Sequence, residues 1–429
     1  MSSDIPRTIH VPKVQRAAVI GAGILGTAVA RELTRRIPEV EVTVFEKELT
    51  VAGHQTGHNS GVVHAGLYYQ PGSLKARLCR RGVEMLVPYA AEHGVPYDEC
   101  GKLVVAQDTD EVDRLEAIFE KAKANGVPHV KLLDRHQMRE VEPHVRGVLA
   151  LHSPHTAIID YPALTQAFAS DVEAAGGEFR FGSEVVRLDT LGDEVRVALA
   201  VPGADGSKLT EDGGAFDLVV TCAGLQADRL ATASGLEKDP RIVPFYGDYF
   251  LVPGKAAEVV KGLIYPVPDP AYPFLGVHLT RRTDGGLMLG PNAFLSFGRE
   301  AYSARQAFSR ENLQQTASDL FSTAGFGGFW KFAKDNVKAA VRESRTALSP
   351  AAFIEEARKF VPELDGTQVV KGPRGVRAQA MNPDGSLVDD FVFSTRGRLT
   401  QVRNAPSPAA TSSMAIAEYV VDKALESVG

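Results

Sequence analysis

The chain holds only three cysteines in 429 residues, Cys79, Cys100 and Cys222, far apart and without a C-x-x-C. An odd, scattered set excludes a disulfide framework and a cysteine zinc site, and fits reduced thiols. There is one tryptophan, and no apolar run reaches the ~18 residues of a membrane-spanning helix. Lys and Arg (47) fall short of Asp and Glu (53), giving a net charge of −6 without any basic run. No nucleic-acid partner is expected on those terms. Residues 1–15 lack the apolar core of a signal peptide and read as a loose leader, so a cytoplasmic location is expected. There is no internal repeat and no low-complexity tract. Hydrophobic residues at 44% and charged ones at 23% suit a globular protein, and the length suggests two domains.

Against these absences stands one dense stretch, Arg16 to Gly66. Ala17–Ile20 is a short apolar run, followed at once by Gly21-Ala22-Gly23-Ile24-Leu25-Gly26. Apolar residues then recur at helical spacing up to Arg36, and Val40–Phe45 alternates as a strand does before Glu46. A G-x-G-x-x-G that follows a strand, opens a helix and has an acid about 20 residues on is a dinucleotide fingerprint. Gly21 makes the tight turn, Gly23 admits a pyrophosphate against the backbone, and Gly26 lets helix and strand close up. The amides of Ile24 and Leu25 open the helix toward phosphate oxygens. Glu46, with Lys47 beside it, is placed to bind ribose hydroxyls. The alternative is a glycine turn in some other α/β unit. Spacing, context and the acid together favour a dinucleotide that carries ADP.

The next segment, Val51–Gly66, is rich in Gly, Ser, Asn and His. Three histidines in eleven positions (His54, His58, His64) raise the question of a metal, but no Asp, Glu or Cys in the loop completes a site, and none is expected. Thr56, His58, Asn59 and Ser60 read instead as cofactor contacts, the glycines permitting close approach. The alternative is a mobile loop with incidental histidines. Helices are expected over 73–93, 111–124, 137–142 and 161–175, and strands over 98–107, 147–151, 178–181 and 184–188. Phe216–Thr221 is expected to return as a strand to the first sheet, and Val185, Ala223 and Gly224 are counted with the nucleotide site. Runs at 242–252, 262–265, 275–280 and 286–289 suggest an antiparallel sheet, and 297–360 is mostly helical. Gly375–Ala380 and Thr400–Asn404 are strands. Ser407 is expected to cap, and Pro408 to open, a last helix whose amides at Ala409, Ala410 and Thr411 face the cofactor.

Four stretches, in order, carry a resemblance. They are His54–Gly66 running on through Tyr68-Tyr69 and Pro71–Arg77, Tyr265–Pro270 with Pro273–Thr280, Gly375–Ala380, and Asn404–Thr411. In these the chain resembles the L-2-hydroxyglutarate dehydrogenase/oxidase family, within the flavoprotein group of D-amino-acid oxidase and glycine oxidase. The resemblance implies an α/β (α+β) fold: a doubly wound FAD-binding domain of the D-amino-acid oxidase/glutathione-reductase type plus an antiparallel-sheet substrate domain with helices. The first would be discontinuous over 16–90, 145–235 and 370–429, the second (a cap) over 91–144 and 236–369. It also implies oxidation of a small dicarboxylate, L-2-hydroxyglutarate, to 2-oxoglutarate, with electrons passing to a quinone-type acceptor or to oxygen. FAD is expected to be noncovalent, since no cysteine follows Cys222; attachment through His58 is the alternative. The family pattern has an arginine at Tyr246, a lysine at Gly298 and a small residue at Arg374. Arg374 is therefore a candidate to replace the missing arginine.

Oxidising a secondary alcohol requires a base for the hydroxyl proton, best a group that titrates near neutral. His64, closing the polar loop before two small residues, is the candidate, with His278 its rival. Arg377 can clamp the C1 carboxylate through two parallel hydrogen bonds; the alternative is a surface arginine on a strand. A second cation is wanted for the distal carboxylate, with Arg299, Arg281 and Arg374 as candidates. Tyr265 and Tyr249 are candidate hydroxyl donors or plain packing. The aromatic and basic stretch 326–334 reads as a lid over the site or, alternatively, as a peripheral contact with the inner face of a membrane. Competing functional readings are an oxidase of another L-2-hydroxy acid or amino acid, and a non-catalytic flavin-binding redox sensor. The oligomeric state is left open.

Overall fold

The computed structural model describes residues 14–203, 208–269, 276–296, 298–303, 313–336 and 350–428. The expected leader up to residue 13 and the Pro273–Leu275 part of the second resemblance stretch lie outside these residues, as does much of 297–349.

The first layer forms because its strands are continuously apolar. Arg16–Ile20, Glu41–Phe45 and Leu218–Thr221 are buried over nearly their whole length, as strands covered on both faces must be. Arg16–Ile20 lies between the other two and runs parallel to both, and Glu178–Arg180 and Leu399–Asn404 extend the sheet. Phe216–Thr221 thus does return to the first sheet, through Leu218–Thr221. Helices Ile24–Arg36, Tyr161–Ala174 and Ser413–Glu426 cover it, burying Leu33, Phe168 and Val420 completely. Each such side chain contributes about 1.5–3 kcal/mol.

The second layer is a nine-stranded sheet. Arg241–Val252, Leu287–Gly290, His278–Arg281, Leu263–Pro266, Lys102–Ala106 and Leu149–Ser153 follow one another across it. All neighbours are antiparallel except Leu263–Pro266 with Lys102–Ala106. Val370–Met381 pairs along Arg241–Val252 and sets Arg377 opposite Phe245. Two segments that the sequence groups with the cofactor part, Leu149–Ser153 and Val370–Met381, therefore hydrogen-bond into this sheet instead.

A small sheet joins the layers. Val62–Val63 pairs with Ala157–Ile159, which also pairs with Tyr97–Asp98. It fixes the end of the polar loop, so that His64 leaves a held strand. The last helix begins later than expected: Ser412 is its N-cap and Ser413 its first residue. Pro406 and Pro408 hold the residues before them out of the α region, and the chain completes one more turn, with Ser412 N–H donating to the Pro408 carbonyl.

Candidate active site

The nucleotide end is built as the fingerprint requires. Gly21 adopts φ +99°, and a Cβ there would lie 2.6 Å from the Cys222 carbonyl oxygen. A Cβ on Gly26 would overlap the Gly21 carbonyl, so neither site tolerates a side chain. No acid stands in the first turn of the helix after Gly23, which leaves its positive end to anions. The Ile24 N–H, expected to face a phosphate oxygen, instead donates to Thr56 Oγ1 at 3.0 Å, which leaves the Thr56 hydroxyl hydrogen for an incoming oxygen. Glu46 is buried and accepts from the amides of Ala22 (2.7 Å) and Glu48 (2.9 Å). Each carboxylate oxygen keeps capacity for a ribose hydroxyl. Val185 and Ala223 pack into the cluster that holds Ala18, Ile20 and Phe45, and Gly224 follows in a left-handed turn facing Gln55. The donor set and the backbone clearances fit FAD.

Other expected cofactor residues have partners of their own. Asn59 holds its loop, donating to the carbonyls of Gln55 and Thr56 and accepting from Gly61 N–H. His58 Nδ1 lies 2.8 Å from the His54 carbonyl, with its ring stacked 4.1 Å from Tyr302. Ser60 lies beside the Tyr249 hydroxyl. Lys47 forms an ion pair with Glu300. Glu48 and Glu300 gather with His54, their ligand atoms all within 4.8 Å of one another. The loop's own composition gave no sign of this, because both acids come from outside it; Lys47 already supplies the positive charge. Pro408, Ala409 and Ala410 lie in the turn before the last helix, not in its first turn as expected.

Thr411 has a definite role. Its Oγ1 accepts the His64 N–H at 3.1 Å and meets the Tyr161 hydroxyl at 2.9 Å, which in turn reaches the Val62 carbonyl. This buried network fixes the His64 backbone between two layers. The His64 Nε2 stands 3.2 Å from Ser407 Oγ. Burial, with Lys102 and His278 nearby, pushes His64 down to about 3, so it is neutral at ordinary pH. His278 is buried, bonds the Gly276 carbonyl through Nδ1, and is likewise held at about 3, first by burial. Its ring stacks 4.0 Å from Tyr265. Arg377 is exposed on its strand, and its charge reaches Tyr249, Tyr265 and His278. His64, His278, Tyr249, Tyr265 and Arg377 are thus brought to one place.

Arg299 is not among them. It is buried, its guanidinium taken by Asp228 and by the carbonyls of Leu225 and Ile242. A fully engaged buried pair is a structural joint, and the assignment of Arg299 to substrate is corrected accordingly. Arg374 is likewise occupied: it grips both oxygens of Asp248, at 2.7 and 2.9 Å, and lies 4.0 Å over the Tyr246 ring. Arg281 faces Asp98 at 3.8 Å.

Sequence reasoning missed Lys102. It opens the strand Lys102–Ala106, is 2% exposed, and holds its ammonium 3.5 Å from the Tyr265 ring centre and 4.8 Å from that of Tyr68. Burial pushes it down to about 7. A lysine at the head of the apolar run Leu-Val-Val-Ala was the available signal.

Comparison with known proteins agrees with this geometry. The FAD dependent oxidoreductase family matches residues 16–423. The chain is 43% identical to the mitochondrial L-2-hydroxyglutarate dehydrogenase of Nematostella vectensis, over 95% of this chain and 90% of that one. It is 39% identical to L-2-hydroxyglutarate dehydrogenase of Escherichia coli K12, over 94% and 92%. Among solved structures, FAD-bound L-alpha-glycerophosphate oxidase of Mycoplasma pneumoniae shares the fold with a TM-score of 0.75 at 19% identity, over 96% and 95%. The protein is an FAD-dependent oxidoreductase, and the chain belongs to the L-2-hydroxyglutarate dehydrogenase family.

Proposed function

We propose that the protein oxidises L-2-hydroxyglutarate to 2-oxoglutarate and passes the electrons to a quinone-type acceptor or to oxygen. The observation that carries the reading is that His64, a half-buried and neutral imidazole, and the Arg377 guanidinium both lie near His278. The names of relatives near 40% identity support the choice of acid. FAD, which the Gly21–Gly26 turn and Glu46 would hold, would supply the two-electron acceptor for the Cα hydrogen as hydride. His64 takes the hydroxyl proton: with the Ser407 hydroxyl donating, Nε2 carries the lone pair. A histidine held near 3 is unprotonated at ordinary pH, though a weaker base than the near-neutral group expected from the sequence, and the proton it accepts is shared with the Ser407 oxygen. Arg377 fixes the plane of the C1 carboxylate, which turns Cα toward the cofactor. Tyr249 and Tyr265, buried among these groups with their phenols pushed up by burial, stay protonated as donors.

The test is anaerobic bleaching of the yellow protein on addition of L-2-hydroxyglutarate, with D-2-hydroxyglutarate, L-malate, L-lactate and glycine as controls. Bleaching by the L-acid alone is expected, and admitting air then separates oxidase from dehydrogenase. Bleaching by one of the controls but not by L-2-hydroxyglutarate overturns the substrate.

A further inference from the structure

A five-carbon dicarboxylate clamped at C1 by Arg377 has a second negative charge to place. The three arginines that the sequence offers for it are all spoken for: Arg299 by Asp228, Arg374 by Asp248 and Arg281 by Asp98. Two lysines near the site are also paired, Lys75 with Asp389 and Lys47 with Glu300. Lys102 differs. Its side chain is buried, and no carboxylate among the described residues pairs with it; the faces of Tyr265 and Tyr68 lie against the ammonium. The Tyr68 hydroxyl is itself buried without a hydrogen-bond partner. A buried ammonium with no carboxylate against it among the described residues, lying over the ring of a tyrosine whose own hydroxyl is buried without a partner, forms an incomplete site whose missing member is an anion.

We infer that Lys102, assisted by the Tyr68 hydroxyl, receives the distal carboxylate of the substrate and so selects dicarboxylates over monocarboxylates. This rests on the reading of the pocket as a hydroxy-acid site. The rings set the geometry: Lys102 lies against Tyr265, and Tyr265 stacks on His278. One strand pair, Leu263–Pro266 with Lys102–Ala106, therefore positions the anchor for the far end of the substrate relative to His278. Holding an unpaired ammonium in this place costs stability in the empty site, and the bound carboxylate recovers it. A lysine kept only for structure has no use for that arrangement, since a methionine of similar length packs between two tyrosines at least as well.

The experiment uses the holoprotein with Lys102→Met and Lys102→Arg, and two substrates, L-2-hydroxyglutarate and L-2-hydroxybutyrate, the second lacking the distal carboxylate. The dissociation constants of glutarate and butyrate, read from the flavin spectrum, provide a measure independent of turnover. For Lys102→Met, KM for the dicarboxylate and Kd for glutarate rise roughly 10- to 100-fold, the range of a lost charge-assisted contact. KM for L-2-hydroxybutyrate and Kd for butyrate do not rise, kcat changes far less than KM, and the melting temperature is not lowered. Lys102→Arg recovers part of the preference. If Lys102→Met keeps the wild-type preference for dicarboxylates, the inference is overturned while the functional reading stands. A wild-type protein reduced by another acid and not by L-2-hydroxyglutarate overturns the functional reading, and this inference with it.

Discussion

The nucleotide cradle and the substrate pocket are built on opposite plans. The cradle is mostly local: Gly21, Ala22, Ile24, Gly26, Glu46 and Thr56 fall within one stretch of the chain, and the contacts Gly21–Gly26, Ala22–Glu46 and Ile24–Thr56 each involve a backbone atom. The pocket is assembled at a distance, His64 from a loop, Lys102, Tyr265 and His278 from three strands, and Arg377 from a fourth. A site made of backbone tolerates no new atoms, because a peptide carbonyl cannot step aside. A site made of side chains on separate strands tolerates replacement one group at a time, and each loss should appear in a different kinetic constant. The two plans predict different kinds of failure.

The largest effect belongs to the cradle. In Gly26→Ala the new methyl overlaps the Gly21 carbonyl, and helix and strand must separate at the cost of several kcal/mol, about 3 or more. Purified Gly26→Ala protein should be colourless or unfolded, judged by the flavin absorbance per chain and by thermal melting. A yellow variant with the wild-type melting temperature would show that the turn is not rigid, and would erase the contrast.

The contrast also explains what the sequence revealed. The fingerprint from Gly21 to Glu46 was legible because its chemistry lies in chain order and needs glycine at fixed spacing. His64 and Arg377 were singled out by the chemistry they offer, and each lies near His278. Lys102 was not legible: as the first residue of a strand it looks like a solvated edge, and only the cover of Tyr68 and Tyr265, from remote segments, makes it buried. Arg299 failed in the opposite sense. It has the charge that a dicarboxylate wants, but Asp228, which is far off in sequence, claims it. The late start of the final helix at Ser413 is a smaller miss, due to two prolines whose joint effect is to add a turn before the helix.

In the pocket, His64→Asn should keep FAD and the melting temperature within a few degrees but slow flavin reduction by about 10²–10⁴-fold, the usual worth of a positioned base. If His278→Gln shows that loss and His64→Asn does not, the roles are reversed. The pH dependence sharpens the assignment. His64 and His278 sit at about 3 against an ordinary 6.5, so between those values the unfolded chain binds protons that the folded chain does not. Their stabilising contribution is complete above about pH 6.5 and is lost as pH falls toward 3. Melting temperature should therefore drop from pH 7 to 4, with a shallower slope in the double variant His64→Asn/His278→Gln. Lys102, at about 7 against 10.5, is depressed in the same sense. It withholds stability at neutral pH, so Lys102→Met should melt higher at pH 7, with the difference narrowing toward pH 10.

The smallest effect is expected outside both regions, on the helix Gly327–Asp335. Its inner face, Phe326, Phe329 and Phe332, packs on Val243, Phe245 and Met381 of the large sheet. Trp330 points away, 59% exposed, its indole N–H donating to the Ala324 carbonyl, with the exposed Lys331 and Lys334 on the same helix and Phe321 exposed on the helix before it. A helix that spends its phenylalanines on the sheet is a cover for that sheet first, and one tryptophan with two lysines is little to hold a protein on a bilayer, for which stable anchoring takes two strong signals. Trp330→Ala should therefore change stability by no more than about 0.5 kcal/mol and leave the steady-state rate with a soluble acceptor unaltered. Flotation with anionic liposomes separates the two readings. Equal, weak flotation of both proteins leaves the helix as a cover, whereas strong wild-type flotation that disappears in Trp330→Ala makes its outer face a membrane contact and gives a quinone a route of approach.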